Sequence, residues 1–199
     1  MQRIWRMFGQ RPSLHHWEGQ EIWSGVDAGP RPADHRDRHE AEVAVEPPGP
    51  PTPAGPYRRL ANAILAFDIF PPRLVTPYCP HQAVEIGDTL GVCYHFLPGL
   101  DLFFVARVVA RFDGLAGGVW KAGFTYRTLV GHPMIGEETF SAEKSPATGR
   151  ISAALRSWSR PGILSAQLAY PVVRRLQLRA GRAALRHLAE LARTETTTL

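Results

Sequence analysis

Cysteine is nearly missing from this chain of 199 residues: Cys79 and Cys93 are its only two. Two are too few for the disulfide framework that holds a small secreted domain together. No stretch reaches the roughly 18 apolar residues that a membrane-spanning helix needs. The start, Met1 to Phe8, carries charge and no apolar run of leader length. Neither G-x-G-x-x-G nor G-x-x-x-x-G-K-[ST] occurs, so nothing points to a nucleotide site. A G-x-S-x-G elbow is missing too, and Ser157 and Ser159 have no clear histidine partner. These absences predict a cytoplasmic protein with no cofactor.

What is present is ordinary in bulk: 44% hydrophobic and 21% charged residues, enough in one chain of this length for a single buried core. The net charge of +5 is unevenly placed. From Arg174 onward, six arginines (Arg174, Arg175, Arg179, Arg182, Arg186 and Arg193) face two glutamates. Such an excess can attract nucleic acid or an anionic surface. The simpler reading is the solvated face of a terminal helix. Nucleic acid is not the expected partner, because the aromatic residues alternate as core residues instead of interleaving with basic ones.

Residues 1–39 are polar and rich in His, Arg and Pro, and they read as a loosely packed arm before a single domain at 40–195. Trp17, Ile22 and Trp23 are the side chains that could pin it. Alternation from Glu42 to Glu46 predicts a strand, ended by a proline-rich connection. Pro56 then opens a helix running to about Phe70, where Pro71-Pro72 stops it. Five period-two runs follow: Val84–Phe96, Leu102–Phe112 turning at Asp113-Gly114, Val119–Leu129, Glu138–Lys144 and Ile151–Ser159. Short turns between consecutive strands favour an antiparallel meander. From Val172, the residues Val173, Leu176, Ala180, Ala184, Leu188 and Leu191 form a helical apolar stripe. The fold class is therefore α+β, with an antiparallel sheet curled around a long C-terminal helix. This element order resembles the helix-grip fold of the START and Bet v 1-like superfamily, and the resemblance implies an apolar cavity between sheet and helix.

The densest chemistry lies at Gly131-His132-Pro133-Met134-Ile135-Gly136-Glu137-Glu138-Thr139-Phe140. Two glycines and a proline suggest a shaped connection carrying a histidine and two carboxylates. This motif, with Phe124 to Val130 before it and Ser157-Trp158-Ser159-Arg160-Pro161 after it, resembles uncharacterised protein family 0548. The resemblance runs from about Tyr57 to Leu191 and implies no activity. Glu137 and Glu138 must point to opposite faces if both lie in a strand. One of them, desolvated near His132, would suit a general base or a polar anchor. His132, Glu137 and Glu138 are the catalytic candidates. Trp120, Phe124, Tyr126, Trp158 and Arg160 are the ligand-binding candidates, and Arg160 is expected to pair with Glu137 or Glu138.

Cys93 and His95, two apart on a strand, share a face, and a hairpin could bring Cys79 and His81 opposite them. Their spacing is wrong for common zinc knuckles, so no metal is expected. His35-Arg36-Asp37-Arg38-His39 has metal-like histidine spacing but reads as a solvated loop. The leading expectation is binding of a small hydrophobic or lipid-like ligand between sheet and helix, with Phe96, Phe103, Phe104 and the aromatic residues above supplying the apolar wall. The alternative is a cyclase, hydratase or isomerase using His132 with Glu137 or Glu138. The weakest is binding of nucleic acid or an anionic surface through the arginine-rich helix.

Overall fold

A computed structural model of the chain describes residues 5–7 and 13–194. Most of the segment Met1 to Phe8, and Glu195 at the other end, lie outside the described residues. Runs of period two can bury their apolar faces only by pairing side by side, and here they form one sheet. Its strands are β1 (Trp5–Met7), β2 (His35–Val45), β3 (Val75–Tyr78), β4 (Thr89–Leu97), β5 (Leu100–Ala116), β6 (Val119–Thr128), β7 (Met134–Lys144) and β8 (Arg150–Pro161). The order across the sheet is β2-β8-β7-β6-β5-β4-β3, with β1 pairing to β5. Every pairing is antiparallel. Register shifts in β2 at Glu42/Ala44 and in β5 at Val108/Ala110 add twist to a sheet that must curl.

Among the described residues, α-helices accompany it at α1 (Pro56–Leu65), the short α2 (Leu164–Leu168) and α3 (Tyr170–Arg193). The long α3 lies against β2, β8 and α1, so the sheet curls around the C-terminal helix in a helix-grip arrangement. Among the described residues, no helix is long and apolar enough to cross a membrane.

The main core joins Phe124, Phe140, Ala142, Ile151 and Leu155 of the sheet to Tyr57, Leu60 and Ile64 of α1 and to Ala184, Leu188 and Ala192 of α3. Helix α1 packs on the inner face of the sheet over β6 and β7. Just beyond it, Phe67 meets Phe124 edge to face at 5.8 Å, and Phe70 meets Phe140 at 6.1 Å. The helix ends at Leu65, short of the expected Phe70. Phe67 takes a left-handed φ of 61°, and the Asp68 N–H returns to the Ala63 carbonyl, which closes the last turn.

The β5–β6 turn falls at Gly117-Gly118, four residues later than expected. Both have positive φ, as a tight hairpin turn demands, whereas Gly114 continues the strand. On the outer face, Cys93, Phe103, Val105 and Leu129 form a second cluster closed by Trp17. Trp17 and Val26 are buried although they fall within the expected arm. The expected 39/40 boundary falls inside β2, because His35 to Glu40 pair with Ser159 to Ala154.

Candidate functional site

The β6–β7 connection is shorter than its motif. Strand β7 starts at Met134, so Glu137 and Glu138 are strand residues. Gly131, at φ 96°, turns the chain. Gly136 is needed for another reason: a Cβ there would sit 2.2 Å from the Trp158 carbonyl oxygen of β8. Alternation then divides the neighbouring side chains between two faces.

One row runs across four strands in register: Asp37 of β2, Ser157 of β8, Glu138 of β7 and Tyr126 of β6. It faces a cavity of about 230 Å³ between the sheet and α3. Phe70, Val75, Val92, Leu102, Phe104 and Leu176 form apolar wall around it. His132 borders the same space, as do His39 and Gln177.

Tyr126 donates its hydroxyl to Glu138 Oε2 at 2.6 Å. Burial raises the Glu138 carboxyl to about 7; the Tyr126 hydrogen bond opposes that rise, and the Asp37 charge adds to it. Glu138 keeps partial accessibility, and what it is accessible to is the cavity. Burial and the neighbouring carboxylate push the Tyr126 phenol well up. Asp37 is held low, chiefly by its paired hydrogen bonds from Arg174 of α3. A carboxyl poised near neutrality thus shares the row with one that stays ionised, Ser157 lying between them.

His132 packs its ring on Phe104, centroids 5.3 Å apart, and burial lowers its pKa to about 4. Its Nδ1 lies 2.8 Å from the Met134 carbonyl oxygen and 2.9 Å from the Met134 nitrogen. A neutral ring satisfies one of these, and Nε2 takes the opposite hydrogen-bonding role. Gln177 donates to Ser159 Oγ at 3.3 Å, while its Oε1 is buried without a hydrogen-bond partner among the described residues.

The opposite face carries the other half of the motif. Glu137 accepts from Arg127 Nε at 2.7 Å, and Arg127 also reaches Asp27 at 2.8 Å. Arg160 pairs with neither Glu137 nor Glu138, contrary to expectation. It donates to Asp34 Oδ2 and to the Gly25 carbonyl, each at 2.7 Å, and lies over the Trp158 ring. The arm supplies a carboxylate that strand order alone does not reveal.

The structure thus brings Tyr126, His132 and Glu138 to one cavity, with Glu137 and Trp158 along its border. Phe124 lies in the α1-filled core, Trp120 packs against that core further along the strand, and Arg160 sits under the arm. Phe104 borders the cavity, Phe96 packs on the core, and Phe103 belongs to the outer cluster. Asp37, Arg174 and His39 were not among the candidates. The segment His35–His39, read above as a solvated loop, is the start of β2, and its period-two spacing of Asp37 and His39 was the available signal.

Elsewhere, Cys93, His95 and Asp101 place a sulfur, a ring nitrogen and a carboxylate oxygen within 4.8 Å of one another. Thr76 Oγ1 lies 3.0 Å from His95 Nε2, and Asp101 lies 2.9 Å from His95 Nδ1. Cys79 and His81 do not join this group; His81 pairs with Asp88 at 2.9 Å. A more open depression of about 460 Å³ near the tip of the β5–β6 hairpin has a different lining, where Glu143 is paired to Arg156 at 2.6 Å.

A family profile described as "Domain of unknown function (DUF1990)" matches residues 23–187. A "UPF0548 protein" of Dictyostelium discoideum is 31% identical over 128 residues, which are 61% of this chain and 59% of that relative's length. The resemblance to uncharacterised family 0548 is borne out. Among solved structures, the KanY protein is 10% identical with a TM-score of 0.51, the match covering 81% of this chain and 99% of that one. The di-domain ARO/CYC StfQ from the steffimycin biosynthetic pathway is 14% identical with a TM-score of 0.50, covering 79% of this chain and half of that one. At such identities these two likenesses establish the fold alone.

Proposed function

We propose, for a chain that belongs to the family described as a domain of unknown function (DUF1990), that it binds a small, largely apolar molecule between the sheet and α3. One observation carries the reading: an apolar cavity that keeps a carboxyl, Glu138, inside it. Burying such a group unused is costly, and a ligand's polar end would recover part of that cost. At about 230 Å³ the space is below the ~300–1,000 Å³ of drug-sized pockets, so the ligand is small. Glu138 and the unpartnered Gln177 Oε1 supply acceptors, which favours a ligand end that donates hydrogen bonds, such as a hydroxyl.

Native mass spectrometry of protein expressed in its own host tests this. The expected result is a retained mass that disappears from a variant with the cavity filled, Val92→Trp, whose fold is checked by circular dichroism. An adduct that persists in that variant, or a saturable apolar probe that binds both forms equally, defeats the cavity reading.

A second reading has its own support. Glu138, near neutrality, and the neutral His132 border the same space, as a proton-moving enzyme of cyclase, hydratase or isomerase type would require. Glu138→Gln separates the two readings. Binding alone survives it with a modest change in affinity, whereas turnover of a bound ligand would stop.

A further inference from the structure

The sides of α3 differ in chemistry. Val173, Leu176, Gln177 and Ala180 border the cavity, and Ala184 and Leu188 enter the core. The outer side carries Arg175, Arg179, Arg182 and Arg186, all exposed. Spacings of four, three and four residues put them in one stripe. None has an ion-pair partner among the described residues, whereas Arg127, Arg156, Arg160 and Arg174 are each matched to a carboxylate. Glu190 is the exposed acid at the far end of the stripe.

Immediately before it, large apolar side chains face solvent at four-residue intervals: Leu164 at 69%, Leu168 at 79% and Val172 at 49%. On α3, Val172 shares the exposed side with Arg175 and Arg179 by helical spacing. Cations in a helical stripe, preceded in the chain by exposed aliphatic residues, match the composition of a segment lying in a membrane interface.

We propose that α2 and the outer face of α3 dock on an anionic phospholipid bilayer. Unpaired arginines are drawn to anionic headgroups, and Leu164, Leu168 and Val172 have an apolar layer to enter. A second copy of the chain fits this face poorly, since a two-fold contact would lay the arginine stripe against itself. Nucleic acid explains the arginines but not the aliphatic residues, and among the described residues no aromatic ring joins the stripe to stack on bases. The docking goes beyond the cavity reading and stands without it.

Co-sedimentation of the full chain with phosphatidylcholine vesicles, with and without phosphatidylserine, tests the proposal. Binding is expected only where phosphatidylserine is present, and it should weaken as salt rises. Replacing Arg175, Arg179, Arg182 and Arg186 together by Gln should reduce it at least about tenfold. Leu164→Ser with Leu168→Ser should also lower it while leaving its salt dependence. Circular dichroism confirms that each variant folds. Equal binding to both vesicle types, no binding, or an undiminished quadruple variant overturns the proposal. So does a duplex oligonucleotide that binds the same stripe and displaces the vesicles, or a dimer in solution that the Leu164/Leu168 variant dissolves.

Discussion

Glu138 concentrates the tension between stability and use in one side chain. A carboxyl whose folded pKa of about 7 exceeds its ordinary 4.5 binds more protons in the native than in the unfolded state between those two values. Native stability therefore falls as pH rises across that window, and the cost is fully present above it. Its size is about 3 kcal/mol at most, lessened by water in the cavity. Glu138→Gln keeps an acceptor for the Tyr126 hydroxyl and removes the charge. The variant should be more stable than the parent at pH 8 and indistinguishable from it below about pH 4.5. Urea unfolding at several pH values reads the difference directly. An equal or lower stability at pH 8 would mean that Glu138 has a cationic partner.

Helix α1 depends on a strand for its start. Its N-cap, Gly55, has no side chain to accept hydrogen bonds, and Pro56 follows at the first position. Glu46, one residue past β2, does the capping from a distance. Its carboxylate accepts the Tyr57 N–H at 2.8 Å and the Thr52 N–H at 3.0 Å. Lys144 of β7 lies 3.0 Å away with both side chains almost wholly inaccessible, and it also donates to the Pro50 carbonyl at 2.8 Å. Burial works to raise the Glu46 pKa, but the two backbone donors and Lys144 outweigh it and hold it low. The proline-rich connection is thus fastened at Pro50 and Thr52, and the start of α1 at Tyr57. Lys144→Met would strand a buried carboxylate and should cost about 3–5 kcal/mol. Adding Glu46→Gln to it should cost less than the sum of the single changes. Because the Glu46 pKa is depressed, its contribution persists above its ordinary value and is lost as acidification passes the folded pKa. Denaturant titration of the four proteins at pH 7 and near pH 4 tests both statements.

Across the whole molecule, legibility followed apolar contrast. The strands from β4 to β8 and the helix α3 were readable because their inner residues alternate or recur against polar ones. The start of β2 was not, because its inner positions, Asp37 and His39, border a cavity and not a core, so no apolar period marks it. Of the site, the sequence exposed the His132–Glu138 segment through its glycines and opposed carboxylates. It concealed the partner of Arg160, since Asp34 lies 126 residues away in an irregular segment. The outer cluster was concealed for a related reason: Trp17 and Trp23 stand in a polar stretch with no period to mark which of them is covered, and only the curl of the sheet shows that Cys93, Phe103, Val105 and Leu129 need Trp17 as a cover. That cover has a measurable consequence. At 4% exposed, Trp17 should cost about 3–5 kcal/mol when replaced by Ala. Deleting residues 2–38 should cost more, because it also strips Asp34 from the half-buried Arg160 and removes four residues of β2 from their ladder with β8. Ile86→Ser, at a side chain 66% exposed, should change stability by less than about 0.5 kcal/mol and serves as the control. Urea unfolding of the three variants decides the matter: a deletion as stable as the parent would show that the sheet and α3 hold the fold without the segment packed outside them.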